Sequence, residues 1–292
     1  VFQSFDKHLT TAFFAPLARR RADHGGDLAI PILMYHSVSN EPEIEAHPYF
    51  WLNTTTGRFD AQMRFLKDND YKVISLAHAV ELLRDTGNKR NKHAAHAVIT
   101  FDDGFRDFYL SAFPILRKHG FTATVFLPTD YITDHTRKMD GKEHLSWDEV
   151  AELYEQGISF GSHTTNHFQL KNLNRDDMNF EIRHSRQIIE SKIGKPVDSF
   201  SYPFAFPEEN EELTSYLTDT LTACGYRYGV STRIGRASAQ DPIFFLKRLP
   251  VNSRDDLAFF RAKLEGGYDW LHWFQLKSKI LRAKLQHGKT RN

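Results

Sequence analysis

The run Ala97-Val98-Ile99-Thr100-Phe101 is apolar and β-branched, breaks at Asp102-Asp103-Gly104, continues into helical periodicity from Leu110 to His119, and stops at Gly120 before the next β-rich run, Thr122 to Leu127. This strand–turn–helix–strand unit recurs along the chain. Further β-rich runs stand at Ile30 to Tyr35, Lys72 to Leu76, Ile158 to Gly161, Ser199 to Tyr202, Arg227 to Ser231 and Leu246 to Val251. Helical patterns lie between them at Arg58 to Asp70, Leu76 to Asp85, Trp147 to Gln156, Arg175 to Ile193, Asn210 to Cys224 and Asp255 to Leu264, with Gly157, Gly194 and Gly225 as further stops. Strand and helix alternating over a length typical of one closed core, about 250 residues, predict an α/β fold: a distorted, TIM-like (β/α) barrel of about seven to eight parallel strands over residues 29–266. In such a barrel the chemistry sits at the C-terminal ends of the strands.

Composition narrows the class. The 292 residues carry 38 Lys+Arg against 37 Asp+Glu, a net charge of +1, which argues against a polyanion-binding protein and predicts no nucleic-acid partner. With 40% hydrophobic and 26% charged residues the chain has the material for a packed core. The single cysteine, Cys224, can form neither an intrachain disulfide nor a Cys-rich zinc module. No apolar run reaches the roughly 18 residues of a membrane span. The apolar Ala12-Phe13-Phe14-Ala15 precedes its basic cluster Arg19-Arg20-Arg21, the reverse of a secretory leader, so no signal peptide is read. The expectation is a cytoplasmic or peripheral membrane protein, with the compartment open.

Two strand ends carry the chemistry. Asp102 and Asp103 stand side by side at the end of the third run, and neighbouring strand residues point to opposite faces, so the two carboxylates can do different work. The fifth run ends in Ser162-His163-Thr164-Thr165-Asn166-His167, whose two histidines can close on one metal ion. In one barrel these strand ends make a two-histidine, one-carboxylate site with open positions for water and substrate. One divalent metal is expected, with zinc the default and cobalt, nickel or iron also compatible. A serine hydrolase is disfavoured because Gly161-Ser162-His163 lacks the Gly-x-Ser-x-Gly elbow.

Thr100-Phe101-Asp102-Asp103-Gly104, Ser162 to His167 and Phe200-Ser201-Tyr202-Pro203-Phe204, in this order, resemble the first three motifs of the NodB-like polysaccharide deacetylases of carbohydrate esterase family 4. Met34-Tyr35-His36, Leu145-Ser146-Trp147, Glu181 with Ser185, Gly225-Tyr226 and Arg248-Leu249-Pro250-Val251 match as well, so the likeness covers residues 30 to 251. The resemblance implies Asp102 as catalytic base, Asp103, His163 and His167 as metal ligands, and the backbone N–H of Phe204 as an oxyanion donor. It further implies Tyr202, Pro203, Trp147 and Arg248 around the oxyanion and substrate groove. The substrate implied is an N-acetylated glycan or a lipid-linked sugar.

Two departures from the pattern stand out. Ser201 occupies the place of the motif arginine that orients the base, and Arg248 occupies the place of the histidine that serves as general acid. Arginine, whose guanidinium holds its proton throughout the physiological range, is a poor proton donor at neutral pH. His36, at the end of the first strand, is the expected substitute, as in the similar subgroup that includes the poly-β-1,6-N-acetylglucosamine deacetylases. Arg248 is then free to orient Asp102 through charge-assisted hydrogen bonds. Two other readings stay open: a catalytically silent carbohydrate-binding scaffold on the same barrel, and a hydrolase of another linear amide such as a deformylase.

The C-terminal segment is read separately, as is a helical extension over residues 1–28. From Asp269 to Asn292 there are six basic residues (Lys277, Lys279, Arg282, Lys284, Lys289, Arg291) and one acid, net +5, which leaves the remainder at −4. Residues 267–292 are expected to form a basic amphipathic helix with an apolar stripe of Trp270, Trp273, Phe274, Ile280, Leu281 and Leu285. Either it contacts an anionic membrane peripherally or it packs on the barrel with a solvated basic face.

Overall fold

The structure, a computed structural model, describes residues 2–23, 28–42, 52–85, 94–134, 138–139 and 141–289. Among these residues seven parallel strands close into a barrel: β1 Ile32–Tyr35, β2 His96–Phe101, β3 Thr124–Leu127, β4 Ser159–Ser162, β5 Ser199–Ser201, β6 Tyr228–Ile234 and β7 Leu246–Pro250. They follow one another around the ring in chain order, and the pairing of Leu249 with Leu33 closes it. The expected strand at Lys72 to Leu76 contracts to Lys72–Val73, which pairs with His96 and Ala97 outside the ring. The rest of β2 is already taken by β1 and β3, and the Ser75 hydroxyl starts a helix at Leu76 by accepting from the His78 N–H.

Around the ring lie α3 Thr56–Asp68, α4 Leu76–Arg84, α5 Phe113–His119, α6 Trp147–Glu155, α7 Arg175–Ile193, α8 Glu211–Ala223 and α9 Leu257–Leu264, preceded by α1 Phe2–Leu9 and α2 Ala15–Asp23 and followed by α10 Leu271–Lys289. Local chemistry sets their starts: Thr55, Ser146, Asn174, Asn210 and Asp256 each accept a backbone N–H of the first turn, with Ser146 and Glu149 forming a capping box. The helix expected from Leu110 opens as a π turn, Phe108–Ala112, and a second π turn, Thr10–Phe14, separates α1 from α2. Each lies two residues before a proline, Pro114 or Pro16, whose missing N–H removes an α-helical hydrogen bond at that point.

Strand parity decides what lies inside the ring. On β2, Val98, Thr100 and Asp102 share one face and Ala97, Ile99 and Phe101 the other. Val98 clusters with Ile32, Phe126, Val230 and Leu246 from other strands, and with Leu76, Ala79 and Leu83 of α4. Ile99 and Phe101 join the larger core under the helices, with Leu33, Tyr35, Phe59, Met63 and Leu116. Both faces of the strands are therefore dry, which is why their sequences read as unbroken apolar runs. Thr100 and Asp102 are the next inward positions above the Ile32–Val98 layer, so a polar layer sits on an apolar one.

The two chain ends meet beside the barrel. Trp270 stacks on Phe14 at 4.8 Å and its indole N–H donates to the Thr10 hydroxyl, while the Tyr268 hydroxyl donates to Asp6. One face of α10 is held to the barrel by Gln275, whose amide bonds the backbone of Thr232 and Ile234, and by Lys279 and His272, which share the Glu208 carboxylate with Arg233. Burial opposes ionisation of Glu208, but His272 and Lys279 outweigh it and hold the carboxyl down at about 2. The side chain of Leu285 lies outside the described residues. No described helix is long and apolar enough to cross a membrane.

Gly161 on β4 immediately precedes the Ser162-His163 strand end, and a Cβ there would fall 2.5–2.6 Å from ring carbons of Phe126 and against the Ser199 hydroxyl. Gly161→Ala is therefore expected to cost at least about 1–3 kcal/mol of overpacking. A urea melt reads this as a lower midpoint with an unchanged slope.

Candidate active site

β2 delivers both acids to the barrel mouth. Asp102 keeps strand pairing, its N–H donating to the Tyr35 carbonyl, and its side chain continues the inward face. At Asp103 the backbone turns to φ +69°, which carries the second carboxylate away from the first. Asp103, Thr164, His167 and Phe204 are four of the five non-glycine residues with positive φ among those described. Each such conformation costs of order 1–2 kcal/mol, and strain of this kind gathers where a site over-determines the backbone.

The histidine pair converges through that strained loop. His163 directs Nδ1 to the Ser201 carbonyl at 2.8 Å, a bond that places the proton on Nδ1 and leaves Nε2 as a lone-pair donor. Its Nε2 lies 3.4 Å from Asp103 Oδ1, and His167 Nε2 lies 3.2 Å from the same oxygen. Two ligands bound at about 2.0–2.1 Å with a tetrahedral angle stand about 3.3 Å apart, so the three donor atoms fit one divalent ion. All three donors lie within 4.8 Å of one another. Electrostatics agree with a cation here: burial pushes His163 down, but the charges of Asp102 and Asp103 overcome it and raise its pKa. Asp103 is held well below the usual carboxylate range, its burial outweighed by the neighbouring His163 and His167 imidazoles.

Glu181 and Ser185, two of the positions that match the family pattern, hold this loop in place. Glu181, 3% exposed on α7, accepts from the backbone N–H groups of Thr165 and Asn166 at 2.9 and 2.8 Å and from the Asn166 amide at 2.8 Å. One turn on, Ser185 shares a hydrogen bond with Ser162 at 2.6 Å. The resemblance marked both residues without giving them a role; their i, i+4 spacing puts them on one helix face.

Arg248 lies inside the barrel with its side chain fully buried, and its five N–H donors are all used. Nε donates to the Ser231 carbonyl; Nη1 donates to Thr100 Oγ1 and Asp102 Oδ1; Nη2 donates to Ser201 Oγ and Asp102 Oδ2, the two carboxylate bonds both 2.7 Å. The small Ser201 also donates to Asp102 Oδ1. Asp102 is thereby fixed in orientation, and although burial pushes its pKa up, Arg248 and His163 bring it below the usual value. His36 Nε2 stands 4.0 Å from Asp102 Oδ2, and burial lowers its pKa against the pull of Asp103 and Asp102.

These groups open into a cavity of ≈ 760 Å³ that takes in His36, Asp102, Asp103, His163, His167, Tyr202 and Phe204. Phe204 is half exposed, with its ring 4.9 Å from that of His167. Tyr202 borders the cavity while its ring packs among Phe200, Phe206 and Phe245. Trp147, Pro203 and Arg248, expected around the groove, do not line it. Trp147 opens α6 and faces the core beneath Lys192, Pro203 is buried, and Arg248 sits behind Asp102. The far wall comes from the chain ends, through Asp6, Asp255, Lys263, Tyr268 and Gln275, which no local pattern announced.

The polysaccharide deacetylase family profile matches residues 89–229. YxkH of Bacillus subtilis, named as a polysaccharide deacetylase, is 30% identical over 236 residues, covering 81% of this chain and 76% of its own. The chain belongs to the polysaccharide deacetylase family. A poly-β-1,6-N-acetyl-D-glucosamine N-deacetylase of Staphylococcus aureus is 21% identical over 238 residues, or 75% of this chain and 78% of that one. Among solved structures, the deacetylase PplD of Streptococcus pyogenes, in complex with acetate, superposes with a TM-score of 0.69 at 25% identity, over 82% of this chain and 99% of that one. IcaB of Ammonifex degensii superposes with a TM-score of 0.65 at 20% identity, over 82% and 97%. The seven-stranded barrel is thus the fold of deacetylases in this family.

Two outcomes are expected of the site. Elemental analysis should find one divalent ion per chain, and His163→Ala should lose most of it, because two donors bind far more weakly than three; undiminished occupancy in that variant would refute the ligand set. Arg248→Met leaves a buried carboxylate unpaired and should cost about 3–5 kcal/mol in denaturant melts.

Proposed function

We propose that the protein is a metal-dependent de-N-acetylase of an N-acetylated amino sugar, in a polysaccharide or a lipid-linked glycan. The observation that carries this is the joint placement, at one barrel mouth, of the Asp103–His163–His167 donor triangle, an Asp102 carboxylate clamped by Arg248, and His36 at 4.0 Å from that carboxylate. The family membership and the Staphylococcus aureus relative, named for poly-β-1,6-N-acetyl-D-glucosamine, support the substrate class.

A divalent metal held by Asp103, His163 and His167, with zinc the first expectation, supplies Lewis acidity toward water and the amide carbonyl. The chain's own groups do the rest. Asp102 accepts the proton of the attacking water; the Arg248 clamp fixes the plane of its carboxylate and prevents rotation, with Oδ2 on the side of His36. As water adds to the acetyl carbon, negative charge develops on the carbonyl oxygen, and the Phe204 N–H, on a loop locked at φ +61°, is the backbone donor offered to it. The C–N bond then breaks, acetate leaves, and the amine nitrogen takes a proton from His36. Because His36 is close to Asp102, the proton that Asp102 accepts has a short route to it. Arg248 is excluded as donor because its five N–H groups are committed.

Asp102→Asn should reduce turnover of acetylated oligosaccharides by about 10²–10⁴-fold, the range of general base catalysis, with metal content unchanged. His36→Ala should lower kcat by a comparable factor at similar KM. Near-normal turnover in the first variant removes Asp102 as base; full activity in the second sends the search for the acid elsewhere.

A further inference from the structure

We propose that the two chain ends together form a docking surface for an anionic lipid bilayer. Five aromatic rings run unbroken across α10 and the π turn between α1 and α2. Phe13 meets Phe14 at 5.2 Å, Phe14 stacks on Trp270 at 4.8 Å, Trp270 meets Phe274 at 5.3 Å, and Phe274 meets Trp273 at 4.8 Å. The middle of this ladder is packed, but its outer members are open: Phe13, Trp273 and Phe274 are 57%, 58% and 53% exposed. Leu17 and Leu281 are exposed on the same two helical segments. A contiguous apolar patch rimmed by charge marks a contact surface rather than a random scatter of hydrophobic residues. The π turn adds one residue to the helical repeat and brings two consecutive phenylalanines into the ladder.

Charge selects the occupant. From Leu271 to Asn292 the chain has six basic residues and no acid, and Arg19-Arg20-Arg21 lie on the partner helical segment; of these, Lys279 pairs with Glu208 and Arg19 with Glu265. Lys277 sits over the Trp273 ring, its ammonium 5.6 Å from the centroid, a tryptophan–lysine pairing suited to the lipid headgroup zone. In a symmetric dimer the same patch must meet itself, so two acid-free helices would face each other and repel. An anionic bilayer supplies both the apolar phase for the rings and the countercharge for the lysines and arginines.

The orientation has a consequence for the site. Gln275 lines the cavity and Trp273, two positions earlier, lies about 200° away on the opposite side of α10. On the function proposed above, a docked protein would hold its cavity one helix width, about 10 Å, from the lipid surface, within reach of a glycan presented there.

The test uses the full chain with vesicles of phosphatidylglycerol and phosphatidylcholine, compared with phosphatidylcholine alone, in a cosedimentation assay. The wild type should bind the anionic vesicles, less so at high salt. Phe13→Ser with Trp273→Ser should bind on the order of tenfold more weakly, with an unchanged melting temperature and unchanged turnover of a soluble acetylated oligosaccharide. Lys277→Glu should weaken binding to anionic vesicles only. Brominated lipid should quench the tryptophan fluorescence of the wild type, a readout that needs no variant. Asp102→Asn should bind vesicles as the wild type does, which separates docking from the catalytic reading. Equal binding by wild type and double variant, absence of binding, or a wild-type dimer that the double variant abolishes would overturn the proposal.

Discussion

A buried ion pair, Arg248 with Asp102, is the interaction on which the rest of the molecule turns. Removing both ions from water costs several kcal/mol each, and mutual attraction offsets this only when every remaining donor and lone pair finds a partner. Here the partners come from β2, β5, β6 and β7: Thr100, Ser201, the Ser231 carbonyl and the two carboxylate oxygens. The guanidinium is satisfied only when these four strands, drawn from both sides of the ring closure, have come together. In return it gives Asp102 one orientation and a charged state at neutral pH, both of which a proton acceptor at the barrel mouth requires.

Above that pair the backbone gives up comfort for geometry. Asp103, Thr164, His167 and Phe204 hold left-handed conformations that their side chains disfavour, and the surrounding bonds explain why they persist. Glu181 ties down Thr165 and Asn166, the Thr164 hydroxyl accepts from the His167 N–H, and the Ser201 carbonyl fixes the His163 ring. The ligands are therefore set by α7 and β5 rather than by the loop itself. A rigid second layer of this kind holds donor atoms at ion-binding distances before any ion arrives.

The terminal helices extend the same logic outward. Glu208 lies four residues beyond Phe204, and its carboxylate gathers Arg233 from β6 together with His272 and Lys279 from α10. The loop that carries Phe204 is consequently braced by the C-terminal helix, and that helix in turn is stacked on the N-terminal segment through Trp270 and Phe14. The chain ends are thus part of the cavity's wall and support.

The sequence by itself determined the alternation of strand and helix, the glycines that stop several helices, and the residues with metal-binding and proton-transfer chemistry at strand ends. These depend on local periodicity and on side-chain type, which neighbouring residues alone reveal. It also showed that Arg248 and Ser201 depart from the expected pattern and that Arg248 could serve Asp102. Only the tertiary structure decided that all five guanidinium donors are satisfied, that His36 faces Asp102, that Trp147 packs into the core instead of the groove, and that Glu181 anchors the histidine loop. It alone paired the first helices with the last. Such relations join residues up to 262 positions apart, as Asp6 and Tyr268 are, and they exist only after the ring closes and parity assigns each side chain to its inside or outside.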